Sequence, residues 1–311
     1  MPANIETMFY VRQAPWHGLG NRVEHALSSE EALQAAELDW EVIQKSIQTE
    51  DYAEIPGYKA NIRATDQRLL GVVSDRYKIV QNHEAFAFTD ELLGEGVRFE
   101  TAGSIQNGRK VWLLARLPEN YIIGGDRISP YLVFSNSHDA SGAIKVAMTP
   151  IRVVCQNTLN LALQNAKRIW TTIHTGNIPA KLDEARKTLL YAELYMDRLG
   201  AEVDRLNRIK ISDNKVREYM ELLLPLPENA TKVQERNVQQ LRDDFQARYF
   251  DAPDLKDVGK NGYRFINAVS DFATHAKPLR DTASFKENLF LRTMEGNPLI
   301  DKAHELILAS A

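Results

Sequence analysis

Cysteine is almost absent from this sequence, which has a single one, Cys155, among 311 residues. One thiol excludes an internal disulfide framework and any zinc site built from several thiolates. Long apolar runs are also missing, because no stretch approaches the roughly 20 residues that a membrane-spanning helix needs. The first residues contain neither the basic nor the apolar segment of a secretory signal. These absences predict a cytoplasmic protein that does not bind a membrane.

The glycine-rich loops that bind nucleotides are missing as well. No segment matches the GxxxxGK[ST] pattern of a phosphate-binding loop. The glycine pairs Gly18 and Gly20, and Gly124 and Gly125, lack the third glycine and the strand–helix context of a dinucleotide-binding turn. Chemistry driven by ATP or NAD is therefore not expected, and we predict no cofactor.

Acidic residues are absent from one long stretch, between Asp139 and Asp183. The same stretch contains the basic residues Lys145, Arg152, Lys167, Arg168 and Lys181. Residues 55–182 together hold 15 Lys and Arg against 10 Asp and Glu, although the whole chain has a net charge of −4. A basic middle in an acidic chain indicates a place for an anionic ligand. Basic side chains that only cover solvated faces would give the same pattern.

The spacing of apolar residues predicts an α+β fold. Strands are expected over 58–63, 69–74, 97–105 and 110–117, with a helix over 82–93 between the second and the third. The dipeptide Asn107-Gly108 is the strongest hairpin signal in the chain. Ser28, followed by two acidic residues, marks the start of an earlier helix. Because hairpins rather than crossovers join these strands, we expect an antiparallel sheet with inserted and following helices.

A further hairpin and helix are predicted in the middle of the chain. The strands are Tyr131–Ser135 and Ile144–Val154, on either side of a polar turn. Pro150 cannot donate to a strand ladder, so it predicts an edge, a bulge or a bend. After this strand apolar residues recur at three- and four-residue spacing, which indicates a helix with Gln156 or Asn157 near its N-cap.

The remainder of the chain has a helical pattern. Helices are predicted over Leu182–Leu206, Asp213–Leu224, Glu228–Phe250, Tyr263–His275, Phe285–Met294 and Pro298–Leu308. The sequence thus predicts two regions. Residues 1–180 form an α+β sheet domain with a basic centre, and residues 181–311 form a mainly helical region.

Three segments carry a resemblance to a known family. They read PWHGLG at Pro15–Gly20, NSHD at Asn136–Asp139 and TPIRVVCQNTL at Thr149–Leu159. In these three segments the chain resembles the phage/plasmid-like family that carries domain of unknown function 932. The resemblance covers most of the chain and weakens after about Gly200. It implies a mobile-element setting rather than a particular reaction.

Anion binding is the favoured function for the basic middle. The free N–H groups at the start of the predicted helix attract phosphate, and an arginine adds a bidentate partner. Basic side chains between aromatic ones are typical of proteins that bind single-stranded nucleic acid. The candidate residues are Lys145, Thr149, Arg152, Gln156, Asn157, Lys167, Arg168 and Trp170. We predict a single-stranded-DNA-binding protein of recombination or annealing that forms homo-oligomers. Alternatively, Arg152 pairs with an internal carboxylate and the polar residues only cap the helix.

Two other functions are open. In the first, His17, His138 and Asp139 converge in a metal-dependent hydrolase or nuclease-like enzyme. Adjacent residues such as His138 and Asp139 point apart in a strand, so only a turn would let them converge. Cys155 would need a histidine base to act as a nucleophile, and a lone cysteine in an apolar context is usually a packed side chain. In the second, the protein counteracts a host defence system through its charged helices. We predict binding rather than catalysis, and no metal.

Overall fold

A computed structural model describes residues 5–11, 21–25, 27–93, 98–117, 120–152, 169–189, 192–280 and 296–310. The described chain combines two sheets of mainly antiparallel strands with helices, and its later half is mainly helical. The predicted α+β fold is confirmed. None of the helices in these ranges is long and apolar enough to cross a membrane.

The strands in chain order are β1 (Ile5–Val11), β2 (Asn21–Val23), β3 (Val42–Gln48), β4 (Glu54–Arg63), β5 (Leu69–Ser74), β6 (Arg98–Ile105), β7 (Lys110–Arg116), β8 (Tyr121–Ile123), β9 (Asp126–Ser137), β10 (Ile144–Arg152) and β11 (Ile169–Thr172). The helices are α1 (Ser29–Ala35), α2 (Asn82–Leu93), α3 (Ile178–Leu189), α4 (Ala192–Arg208), α5 (Asp213–Leu223), α6 (Lys232–Phe250), α7 (Gly262–His275) and α8 (Pro298–Leu308).

The larger sheet has the strand order β11-β10-β9-β7-β6-β1-β2, with β8 paired to β9. From β1 through β6 and β7 to β9 the neighbours are antiparallel, whereas β1 and β2 are parallel. The smaller sheet has the order β3-β4-β5 and is antiparallel throughout. Short connections join β4 to β5, β6 to β7 and β9 to β10, so the predicted hairpins are present.

Local sequence signals account for several of these boundaries. At the turn between β6 and β7, Gln106, Asn107 and Gly108 all have positive φ angles, of 56°, 59° and 82°. Such angles suit asparagine and glycine, which is why this dipeptide marks hairpins. The Glu31 carboxylate accepts a hydrogen bond from the Ser28 backbone N–H at 2.9 Å, as expected for a capping box at the start of α1.

The helical predictions agree with the structure to within a few residues for α2, α5, α6, α7 and α8. The long helix predicted over 182–206 is described as α3 and α4, and residues 190–191 between them lie outside the described chain. After β5 the chain turns, and the Tyr77 N–H donates to the Ser74 carbonyl at 3.0 Å. The helices predicted after Cys155 and over 285–294 lie outside the described residues.

The chain divides into two compact units, each made of several segments. The first is Met1–Pro118, Pro130–Met148 and Lys167–Ala192, and its core lies between the larger sheet and helices α1, α2 and α3. The second is Glu119–Ser129, Thr149–Ala166 and Glu193–Ala311. The predicted division at residue 180 stays a prediction.

Helix α7 is the centre of the second unit, because most of its side chains are buried and it packs against α6 and α8. Phe265 of α7 has edge contacts with the rings of Tyr219, Phe245 and Tyr249. In the same unit, the hydroxyl of Tyr263 donates to the Asp126 carboxylate at 2.8 Å, which fixes the β8–β9 hairpin against α7.

Candidate functional site

The NSHD segment, Asn136–Asp139, ends β9 and enters the turn toward β10. Asn136, Ser137 and His138 are buried, with exposed fractions of 2%, 2% and 0%. The His138 backbone N–H donates to the Arg109 carbonyl at 2.7 Å, and the Asn61 side chain donates to the His138 carbonyl at 2.7 Å. The smaller sheet is therefore bonded directly to this segment through β4.

The His138 ring lies in the interior and is neutral. Its Nε2 lies 3.0 Å from Asn82 Oδ1, and the Asn82 amide donates to the Leu38 carbonyl at 2.9 Å. Because that amide oxygen can only accept, the ring proton is on Nε2. Nδ1 is buried without a hydrogen-bond partner among the residues that the structure describes. Burial, with a smaller contribution from His174, lowers the pKa of His138 to about 3.

His174 repeats this arrangement next to the first histidine. Its Nε2 lies 2.5 Å from Asn136 Oδ1, and the Asn136 amide donates to the Val80 carbonyl at 2.9 Å. The ring stacks on Tyr77, with centroids 4.5 Å apart and planes 13° from parallel. The Tyr77 hydroxyl in turn donates to the Ser137 carbonyl. Burial, followed by the nearby Lys181, lowers the pKa of His174 to about 4.

The Asp139 carboxylate forms its hydrogen bonds within the turn and not with His138. Its Oδ1 accepts from the Ser137 hydroxyl at 2.6 Å and from the Ser141 backbone N–H at 2.9 Å. Burial alone would raise the pKa of Asp139, but these hydrogen bonds outweigh it and the pKa is lowered. A Cβ placed on Gly71 of β5 would lie 2.6 Å from Asp139 Cα, so the turn lies tightly against that strand.

The adjacent His138 and Asp139 thus have different surroundings. The His138 ring is buried in the core, while the Asp139 carboxylate accepts hydrogen bonds within an exposed turn. Within the described ranges, no group of three or more His, Cys, Asp or Glu side chains could hold a metal ion. His17 and Cys155 lie outside those ranges, so the enzyme hypothesis that uses them stays a prediction. What is seen of the NSHD segment is a structural connection between β4, β5 and β9.

A second group of residues lies on the face of the larger sheet that points away from its helices. On β7, Val111, Leu113 and Ala115 belong to the core, so the alternate residues Lys110 and Arg116 lie on the opposite face. Cross-strand register and alternation extend this face to β6, β9, β10 and β11. We call it the polar face and define it by its partly or fully exposed polar residues Arg98, Lys110, Arg116, Tyr131, Ser135, Lys145 and Thr171.

Like charges approach one another on the polar face. Arg98 on β6 is directly opposite Arg116 on β7. Lys145 on β10 is close enough to Lys110 that, after burial, this neighbour is the second cause of its lowered pKa. Like charges that face each other across a sheet destabilise it. The polar face therefore carries four basic side chains in two pairs.

The residues predicted to bind nucleic acid have different positions. Lys145 is on the polar face. Trp170 is 8% exposed and packs in the core of the first unit, so its ring offers no open surface for a base. Thr149 is 1% exposed, and its hydroxyl has no hydrogen-bond partner in the described chain. Arg152 ends β10. The remaining candidates, Gln156, Asn157, Lys167 and Arg168, lie outside the described residues, and so does the side chain of Arg152.

Sequence reasoning missed Arg98, Lys110 and Arg116. The acid-free window begins after Asp139, whereas these residues lie on earlier strands that the sheet places on the same face as Lys145 of β10. The sequence signal that could have found them is the alternation on β7. Lys110 and Arg116 are an even number of residues apart, so they lie on the same side of the sheet, and most of the apolar residues between them lie on the other side.

A groove of about 610 Å³ lies in the first unit between α2, α3 and the segment before α2. Its lining residues include Lys78, Val80, Glu84, Phe88, Glu91, Ile178, Leu182 and Asp183. The three carboxylates outnumber the single lysine among these charged residues. The groove is therefore more acidic than the polar face.

Comparison with known families gives one finding. A model of the family described as Domain of unknown function (DUF932) matches residues 69–293. The chain belongs to this family. The DUF932 match covers β5 to β11 and continues through α7, so it includes His138, His174 and the whole polar face. No curated protein and no solved structure matches the chain.

Proposed function

We propose that this DUF932 protein binds single-stranded DNA on the polar face of its larger sheet, as part of recombination or annealing in a phage or plasmid. The observation that supports the proposal is the gathering of basic side chains there. Arg98 faces Arg116, and Lys110 lies near Lys145. Arginine and lysine side chains at such positions can contact the phosphates of a bound strand.

The two basic pairs lie at opposite ends of the polar face. Lys110 and Arg116 are six residues apart on β7, which corresponds to about 20 Å along the strand. Trp112 and Val133, which lie between the pairs on the same side of the sheet, are buried, so the pairs are two separate contact points. Tyr131, directly opposite Arg116, places an aromatic ring next to one pair. RNA-binding sheets use aromatic residues in this way to stack bases between phosphate contacts.

The test is fluorescence anisotropy with labelled single-stranded and double-stranded oligonucleotides over a salt series. Two double variants, Lys110→Ala/Lys145→Ala and Arg98→Ala/Arg116→Ala, each remove one basic pair. Each should weaken single-strand binding and reduce the slope of log K against log salt concentration by about 1.4, since each phosphate contact contributes about 0.7.

The matched control is Lys232→Ala/Arg236→Ala, which removes two exposed basic residues from α6 in the second unit. It should leave both the affinity and the salt slope unchanged. The proposal fails if the wild-type protein does not bind single-stranded DNA at low salt. It also fails if the control variant weakens binding as much as the two variants of the polar face.

A further inference from the structure

The groove between α2 and α3 has the size of a small-molecule site. Its volume is about 610 Å³, and sites for small organic molecules typically have volumes of about 300–1,000 Å³. All the residues that line it belong to the first unit. The groove is therefore large enough for one compact ligand and is formed within a single unit of the chain.

Two helix faces form sides of this groove. On α2 the lining residues recur every three or four residues, so they share one face of the helix. They are Glu84, Ala87, Phe88 and Glu91. On α3 the first two turns contribute lining residues, namely Ile178, Pro179, Leu182 and Asp183. Each helix therefore presents one short face to the groove.

Hydrogen bonds to the core fix the segment before α2, which forms another side of the groove. The Lys78 backbone N–H donates to the His174 carbonyl at 2.7 Å, and the Asn136 amide donates to the Val80 carbonyl at 2.9 Å. His174 and Asn136 are themselves buried. This side of the groove is therefore held in place before any ligand binds, as is usual for small-molecule sites.

The floor of the groove is apolar and its rim is acidic. Val80, Phe88 and Ile178 are buried, with exposed fractions of 1%, 3% and 8%. The charged residues among the described lining are all exposed, and they are Lys78, Glu84, Glu91 and Asp183. Three carboxylates and one ammonium give this rim a charge of −2. A complementary ligand has an apolar body for the floor and a positive charge for the rim.

Two positive features near the groove already have partners of their own. The Lys181 amine donates to two backbone carbonyls, at 3.1 Å and 2.6 Å. The N-terminus of α3 would attract an anion through its free N–H groups. However, Pro179 has no N–H, and the Ala180 N–H donates to Asn177 Oδ1 at 3.3 Å. The carboxylates therefore determine which charge the groove prefers.

We propose that this groove binds a small organic cation, with the apolar body of the ligand on the floor and its amine at the acidic rim. The inference does not depend on nucleic-acid binding, because the groove and the polar face share none of the residues that define them. A single exposed ion pair contributes little to affinity. Selection of a cation therefore requires several carboxylates around one amine, together with the apolar contact.

The test uses three probes that have the same apolar body and different head groups, namely phenylbutylamine, phenylbutanol and phenylbutyrate. Methyl NMR spectra of the full chain follow lining residues of the groove, Ile79, Val80, Ile178 and Leu182. The amine should shift these signals with a dissociation constant of about 1 mM, as expected for a ligand of its size. It should bind about fivefold more tightly than the alcohol, and the acid should bind more weakly than the alcohol.

The variant Glu84→Gln/Glu91→Gln removes two of the three carboxylates and keeps the size of both side chains. Glutamine can still accept from the Gln81 backbone N–H, which donates to the Glu84 carboxylate at 2.6 Å, so the start of α2 should be preserved. The variant should reduce the preference for the amine over the alcohol to less than about twofold. The affinity for the alcohol should stay the same.

The matched control is Glu221→Gln/Glu235→Gln, which makes the same change of charge at exposed positions of α5 and α6 in the second unit. It should leave all three affinities unchanged. The inference is overturned if the amine does not shift the methyl signals of the groove at up to about 10 mM. It is also overturned if the alcohol or the acid binds as tightly as the amine, if Glu84→Gln/Glu91→Gln keeps the full preference, or if the control variant loses it.

Discussion

Two buried polar networks, one in each unit, use different side chains. In the first unit the buried groups around the NSHD turn are neutral, namely two histidine rings, three asparagine amides and the Tyr77 hydroxyl. In the second unit a charged group, the Arg264 guanidinium, is 8% exposed. It donates to the carbonyls of Tyr249, Phe250, Leu255 and Val258 over distances of 2.7–3.4 Å.

This difference has a consequence for how each unit responds to pH. An arginine stays protonated at every accessible pH, so its hydrogen bonds to the loop after α6 do not depend on pH. The histidines keep their hydrogen bonds only as neutral rings, so the first unit should respond to acid. Whether a buried polar network depends on pH is therefore set by the side chain that donates its hydrogen bonds.

The largest effect is expected from breaking the network of the second unit with Arg264→Met. Methionine fills a similar volume but removes all the hydrogen bonds that the guanidinium donates to these four carbonyl groups, which should lower the free energy of unfolding by about 3–5 kcal/mol. Urea unfolding measures the loss, and hydrogen exchange should locate it in α6 and α7. As a control, Arg248→Met removes an arginine that bonds to the Asp244 and Asp271 carboxylates at a more open position. It should cost only about 1–2 kcal/mol.

If both replacements cost the same, the carbonyl network of Arg264 is not what stabilises the second unit. If Arg264→Met costs less than about 1 kcal/mol, water replaces the guanidinium and the contrast between the units disappears.

An acid titration should give the next largest effect, through the two buried histidines of the first unit. Unfolded histidines have a pKa near 6.5, whereas the folded pKa values of His138 and His174 are about 3 and about 4. The unfolded chain thus binds more protons between pH 6.5 and pH 4. The free energy of unfolding has its full value above pH 6.5 and decreases as the pH falls. At pH 5 the decrease is about 4 kcal/mol for the two residues together.

Urea unfolding at pH 7.5 and pH 5 measures this dependence. His174→Gln keeps a donor for Asn136 and should remove about half of the loss, whereas replacing an exposed histidine, His83→Gln, should remove none. Hydrogen exchange in α1 and α2 should become faster at pH 5 than the intrinsic rate explains. An equal change in α7 would mean that the acid effect does not come from the buried histidines.

A smaller effect is expected from the close approach of Gly71 to the NSHD turn. In Gly71→Ala the new methyl group would meet the Asp139 backbone at 2.6 Å, so the turn or the strand must move. The expected loss is about 1–3 kcal/mol. Gly200→Ala in α4 is the control, because a Cβ there meets no atom within 4 Å. It should stabilise the protein by about 0.5–1 kcal/mol. A neutral Gly71→Ala, measured by thermal unfolding, would mean that the turn adapts freely.

Much of the fold could be predicted from the sequence because its signals are local. The Asn107-Gly108 turn, the Ser28 cap and the apolar period of Pro298–Leu308 each act within a few residues, and the structure agrees with all three. The irregular course of residues 77–80 was not predictable in this way. It depends on the Lys78 backbone N–H, which donates at 2.7 Å to the carbonyl of His174 almost a hundred residues later.

The candidate site was less predictable. The NSHD sequence is the same whether the segment lines a pocket or is buried in the core, since histidine and aspartate occur in both environments. What distinguishes the two is the position of Asn82 and Asn61, which come from another helix and another sheet. In the same way, Trp170 looked like a base-stacking ring until its pairing with Val146 placed it among the core residues.

The sequence by itself determined the α+β class, the hairpins, most helix ends and the presence of a basic middle, because each depends on neighbouring residues. Only the tertiary structure decided which basic residues share a face, since strands β6, β7 and β10 are separated in the chain by up to several tens of residues. It also decided that both central histidines are neutral. Their pKa values depend on the exclusion of water by residues from distant segments, and no local pattern encodes that exclusion.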